Sequence, residues 1–107
     1  MEATIRAGSE ITTLVNVFIV EPQNQQALID ILREGTDAFF SRKAGFISSS
    51  VLSGNNGRQV INYSQWRSAG DLEAFRREPY FASYLQRITA LARGETIECI
   101  VAYVNRG

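Results

Sequence analysis

Residues 46–66 read FISSSVLSGNNGRQVINYSQW, and this stretch decides the fold. Phe46–Ser53 and Arg58–Trp66 have strand character, and SGNNG between them carries Asn56-Gly57, a pair suited to the left-handed backbone of a tight hairpin turn. On the second strand the residues sharing a face are Val60, Asn62, Ser64 and Trp66. An amide, a hydroxyl and an indole thus occupy positions where a small protein ordinarily buries Leu, Ile or Val.

Working outward toward the N-terminus, Ile11–Val20 (ITTLVNVFIV) is rich in β-branched residues and reads as a strand. Ile11, Thr13, Val15, Val17 and Ile19 lie on one face, and Thr12, Leu14, Asn16, Phe18 and Val20 on the other. Both faces are largely apolar, so both need cover. Glu21-Pro22 stops this strand, and Pro22 suits the first turn of a helix. Leu28, Ile31, Leu32, Gly35 and Phe39 then keep helical spacing, which predicts a helix from Gln23 to Arg42, ended by Gly45.

Toward the C-terminus, Ser68 with Asp71 three residues later predicts an N-cap with an acidic partner. Leu72 and Phe75 open the apolar face of that helix, and Pro79 breaks it near Glu78. Tyr80, Tyr84, Ile88 and Leu91 resume the helical spacing to Ala92, with Gly94 as terminator and Glu95–Val104 as a last strand. The order is β-α-β-β-α-β, the ferredoxin-like α+β arrangement of a four-stranded antiparallel sheet with its helices on one face. Residues 1–10 are expected to form a flexible arm, and 11–107 a single domain.

Two helices cover one sheet face only. The other carries Ile11, Val15, Val17, Ile19, Ile61 and Tyr63, an apolar patch too large to leave in water. The expected cover is the same face of a second copy, making a homodimer.

The composition narrows the chemistry. Eleven basic residues balance eleven acidic ones, so no overall field draws in nucleic acid or an anionic membrane. No apolar run approaches the ~20 residues of a membrane span, and no basic stretch precedes an apolar one at the N-terminus, so the expected setting is the cytoplasm. The single Cys99 lies in the apolar run Ile97–Val104 and reads as a small hydrophobe. There is no histidine among the 107 residues, which removes the commonest general base and the usual haem and zinc ligand. The chain is expected to hold no metal, haem or flavin.

The segment from Gly45 to Ala74, G-F-x-S-S-S-x-L-S…N-G-x-x-V-I-N-Y-x-x-W-x-S-x-x-D-L-x-A, resembles the antibiotic biosynthesis monooxygenase family of dimeric α/β barrels. The element order over residues 11–104 agrees with it. In the family's cofactor-free oxygenases an Asn of the first strand and an N-Y-x-x-W segment line the substrate cavity. The resemblance therefore implies Asn16, Asn62 and Trp66 as catalytic residues. It also implies oxidation of a phenolic, anthrone- or quinol-like aromatic by O₂ without cofactor. Phe18, Ser64 and Leu72 are candidate substrate contacts. Some members add a tyrosine and an arginine from the second helix, for which Tyr80, Tyr84 and Arg87 are the candidates. Haem-degrading relatives hold the iron with a histidine, which this chain lacks.

Asn62 and Trp66 are four residues apart on one strand, hence ~13 Å along it, which suits a ring system of about three fused rings. Two other readings of the same fold stand beside the oxygenase: a non-oxidative isomerase or cyclase, and a domain that holds a small hydrophobic ligand without turnover. A roomy cavity with both amides pointing inward favours an enzyme. A cavity filled by Phe18, Phe39, Phe75 and Tyr84 favours ligand binding.

Overall fold

The computed structural model describes Ala7 and residues 10–107, so most of the expected N-terminal arm lies outside the described residues. The chain runs β1 (Thr12–Val20), α1 (Gln25–Ala38), β2 (Phe46–Ser53), β3 (Gln59–Trp66), α2 (Ala69–Arg76), α3 (Pro79–Thr89) and β4 (Ala92–Cys99). The strands form one sheet in the order β2-β3-β1-β4, and every neighbouring pair is antiparallel. This is the ferredoxin-like arrangement read from the sequence.

The helices pack on the sheet face that carries Phe18, Val20, Val60 and Trp66. These join Leu28, Leu32, Phe40, Leu72, Phe75, Tyr84 and Ile88 in one buried core. The hairpin turns at Gly57, whose φ of 77° is the left-handed backbone expected there. The Gln25 side chain bolts α1 to this turn, donating to the carbonyls of Gly54 and Gln59 at 3.0 and 3.1 Å. A bulge at Ile47 lets Phe46 and Ser48 pair with the consecutive residues Trp66 and Gln65.

Three boundaries differ from the sequence reading. The first helix is α-helical over Gln25–Ala38 only, with 3₁₀ turns at Pro22–Asn24 and Phe40–Arg42. At its C-terminal end Phe40 leaves the helical path to bury its ring between Phe75 and Tyr84, at centroid distances of 4.5 and 4.8 Å. The helix after Pro79 ends at Thr89, and Gly94 lies inside a strand rather than at a helix end. There the Phe18 ring fills the space a side chain would need, since a Cβ on Gly94 would sit 2.6 Å from Phe18 Cδ1. Finally, β4 spans Ala92–Cys99 and not Glu95–Val104. Thr13–Cys99 is the last pair of the β1–β4 ladder, and among the described residues none beyond Cys99 joins a strand.

Pro79 separates α2 from α3 as read. Ser68 caps α2 by accepting from the Asp71 N–H at 3.2 Å and donating to Asp71 Oδ2 at 2.9 Å. Among the described residues no helix is long and apolar enough to cross a membrane.

Candidate active site

Between the helix-side face of the sheet and helices α2 and α3 lies a cavity of about 170 Å³. Strand alternation brings Asn16, Phe18, Asn62, Ser64 and Trp66 to its wall, and Leu72 and Tyr84 close it from the helices. Asn62, Ser64 and Trp66 are buried at 4%, 5% and 2% exposure, which places polar atoms in a site largely closed to solvent. The exposed lining residues are Leu85 and Thr89 of α3 and Gly94 and Thr96 of β4, so the mouth opens between that helix and the edge strand.

Asn16 and Asn62 are direct partners across the β1–β3 ladder. Each amide oxygen accepts a hydroxyl proton from the strand on its other side: Thr96 Oγ1 donates to Asn16 Oδ1 at 2.6 Å, and Ser49 Oγ to Asn62 Oδ1 at 3.0 Å. Among the described residues neither amide nitrogen has a hydrogen-bond partner, and neither does the indole N–H of Trp66. None of these atoms is fully buried. Three N–H donor groups on the cavity wall are therefore uncommitted, the state that suits them to an incoming oxygen.

The indole has a second task. Trp66 stacks on Phe75 at 5.5 Å and meets Phe46 edge-on at 5.5 Å, so it also fills core. Burial, with a smaller push from Tyr80, raises the Tyr84 hydroxyl well above the usual phenol range, and it stays neutral. Among the described residues the cavity wall carries no carboxylate, and its titratable side chains are Tyr84 and Arg76.

Tyr80 and Arg87 do not line this cavity. Tyr80 stacks on Phe39 at 3.6 Å, and its own hydroxyl is raised mainly by burial. Arg87 points to the far side of α3, 3.6 Å from Glu34. Phe39 likewise lies outside the lining, while Phe18, Phe75 and Tyr84 form walls around open space. Sequence reasoning passed over Arg76, Thr96 and Ser49. Arg76 lines the cavity from the last turn of α2, where an Arg is common enough to carry no signal. The two hydroxyls are legible only once the strand order puts β2 and β4 on either side of the asparagines.

A model of the antibiotic biosynthesis monooxygenase family matches residues 11–87. The chain belongs to that family. It is 35% identical over 101 residues to the tetracenomycin-F1 monooxygenase of Streptomyces glaucescens, covering 94% of this chain and 90% of that protein. Among solved structures it resembles SnoaB of Streptomyces nogalater, a cofactor-independent oxygenase. The TM-score is 0.78 at 20% identity, over 92% of this chain and 100% of that one. A Bacteroides thetaiotaomicron protein described as a possible oxidoreductase superposes equally well, with a TM-score of 0.78 at 19% identity over 88% of this chain and all of the other. Both structural likenesses speak to the fold. Monooxygenase chemistry is thus the activity to set against this cavity.

Proposed function

We propose that this protein is a cofactor-independent monooxygenase that oxidises an electron-rich phenolic aromatic, of anthrone or hydroquinone type, with O₂. The observation that carries the reading is the pair of cross-strand amides, Asn16 and Asn62, with free N–H groups on an otherwise largely apolar wall. An anthrone's ring methylene, set between two aryl rings and conjugated through them to the ketone across the central ring, loses its proton to a water molecule, leaving a delocalised enolate. Amide N–H groups on the enolate oxygen stabilise that charge, as donors fixed in advance do at an oxyanion. The enolate passes one electron to O₂, and the resulting radical and superoxide combine into a carbon-bound peroxide. Loss of water from the protonated peroxide leaves the carbonyl: one O₂ is consumed, one oxygen atom enters the ring and the other leaves as H₂O.

The donor set does not fit a metal centre. The chain has no histidine, and among the described residues no three His, Cys, Asp or Glu side chains converge. The substrate supplies the reducing electrons, so the protein needs only to bind and orient the ring and hold the negative oxygen. A volume of about 170 Å³ holds the reacting end of a fused-ring molecule, with the remainder reaching out through the mouth.

The test is oxygen uptake by chelator-treated protein across a panel of anthrones and hydroquinones. Stoichiometric O₂ consumption, with ¹⁸O₂ label entering the quinone formed from an anthrone, is the expected result. Turnover of a substrate without O₂ consumption would replace this reading with the isomerase or cyclase, and binding without turnover would replace it with a ligand-holding domain.

A further inference from the structure

Arg76 is the one charged side chain on the cavity wall among the described residues. It stands at the last turn of α2, and Glu73 of the same helix and Glu98 of the edge strand hold it on either side. Its Nη1 is 2.6 Å from Glu73 Oε1 and 3.4 Å from Glu98 Oε1, so both contacts fall on the same nitrogen. Among the described residues the opposite edge of the guanidinium, Nε–H and Nη2, has no partner.

That edge is the geometry that receives a carboxylate through two parallel hydrogen bonds. The Arg76 side chain is three-quarters buried, at 25% exposure, whereas those of Glu73 and Glu98 are 51% and 46% exposed. Half-exposed carboxylates are screened by water and hold the cation weakly. A ligand carboxylate that reaches the unpaired edge meets a partly desolvated cation, and among the described residues no other charged side chain lines the cavity.

We propose that Arg76 is a specificity-determining anchor for a carboxylate on the outer ring of the substrate, at the end remote from the asparagines. The substrate class is then an aromatic carboxylic acid with a phenolic, oxidisable ring, bound with the oxidised carbon at Asn16 and Asn62 and the carboxylate at Arg76. This rests on the oxygenase reading of the same cavity, but its test needs no turnover.

Trp66 is the sole tryptophan, so energy transfer from it reports an anthracene entering the cavity. The probes are anthracene-2-carboxylate and its neutral isostere, anthracene-2-carboxamide. The native protein is expected to bind the carboxylate about 10- to 100-fold more tightly, the range of one charge-assisted pair. Arg76→Gln is expected to abolish that preference and leave carboxamide binding unchanged, which also shows that the variant is folded. Glu98→Gln, by removing a competitor for the guanidinium, is expected to tighten carboxylate binding. Equal affinity for the two probes, or binding of neither, overturns the proposal. So does a loss with Arg76→Gln that is the same for both probes, or a Glu98→Gln variant that weakens the carboxylate, since either makes the Arg76–Glu98 contact a structural clasp. A carboxylate preference in a protein that never consumes O₂ would leave the anchor standing and remove the oxygenase reading alone.

Discussion

Asn16 and Asn62 face one another across the two central strands, and each has its amide oxygen occupied by a hydroxyl from an outer strand, Thr96 on one side and Ser49 on the other. An amide group can rotate by half a turn and exchange its oxygen for its nitrogen at little steric penalty. Here each hydroxyl donates and the amide oxygen accepts, and among the described residues the NH₂ groups have no partner.

On the proposed reading, the asparagines hold the reacting oxygen and the two hydroxyls orient the asparagines. Asn62→Ala is expected to lower kcat by about 10²- to 10³-fold, the usual effect of deleting one oxyanion donor. Thr96→Val and Ser49→Ala are each expected to lower kcat roughly tenfold, the scale of one hydrogen bond, with KM little changed. Thr96→Ser and Ser49→Thr, which restore the donor, should recover most of the loss; failure of that rescue would assign the hydroxyls to packing. Trp66→Phe is expected to destabilise by about 1–3 kcal/mol as well, because the indole fills space between Phe46 and Phe75. Thermal melts beside steady-state kinetics distinguish the two kinds of effect.

The first three strands and the two-sided demand of β1 were readable from Ile11–Val20 and residues 46–66, because period-two alternation and Asn56-Gly57 are local signals. The break at Pro79 was readable for the same reason. What escaped was set by contacts between distant segments. Gly94 signalled a helix end by composition, yet the Phe18 ring opposite it makes it a strand residue. Arg87 and Arg76 are equivalent in sequence, both being arginines near the end of a short helix. Helix rotation alone turns one toward Glu34 and the other into the cavity wall.

The cap of α2 predicts an acid-labile element. The hydrogen bond from Arg67 to Asp71, reinforced by that from the Ser68 hydroxyl and opposed by slight burial, lowers the Asp71 carboxyl below its ordinary range. A carboxylate with a depressed folded value adds stability that is present above its unfolded value, about pH 4, and is lost as pH falls through the folded one. Asp71→Asn should therefore be less stable than the native protein at neutral pH, and the difference should shrink as pH drops below about 4. Because Arg67 is largely exposed, added salt should reduce the effect. Urea midpoints at several pH values and two ionic strengths measure both trends.

On the sheet face away from the helices, Ile19, Leu52 and Ile97 are 52%, 48% and 52% exposed, and they flank the half-buried Val15, Val17, Ile61 and Tyr63. An isolated chain would leave this surface in water, so we infer that a second copy covers it, face to face. Sedimentation at micromolar concentration should give a dimer. Val17→Glu, which places a charge at the centre of that face, should shift the protein to monomer and lower its melting temperature together. A native protein that sediments as a monomer would leave the apolar face without this explanation.

Gly94 offers the sharpest control on cavity shape. It lies on the edge strand at the mouth, paired with Phe18 of β1, and a Cβ there would come within 2.6 Å of Phe18 Cδ1 and 2.9 Å of Cε1. Its backbone has no left-handed φ, so alanine brings steric displacement without backbone strain. The Phe18 ring is packed against the sheet on one side and borders open cavity on the other, so the displaced ring moves inward. Gly94→Ala is expected to destabilise by about 1–3 kcal/mol, as overpacking does, and to reduce affinity for a fused-ring ligand while sparing smaller phenols. Gly94→Ala with Phe18→Leu, which removes the colliding ring edge, should restore both. Binding curves for a one-ring and a three-ring phenol on the two variants check this: an equal loss for both ligands would mean that the edge strand had moved instead of the ring.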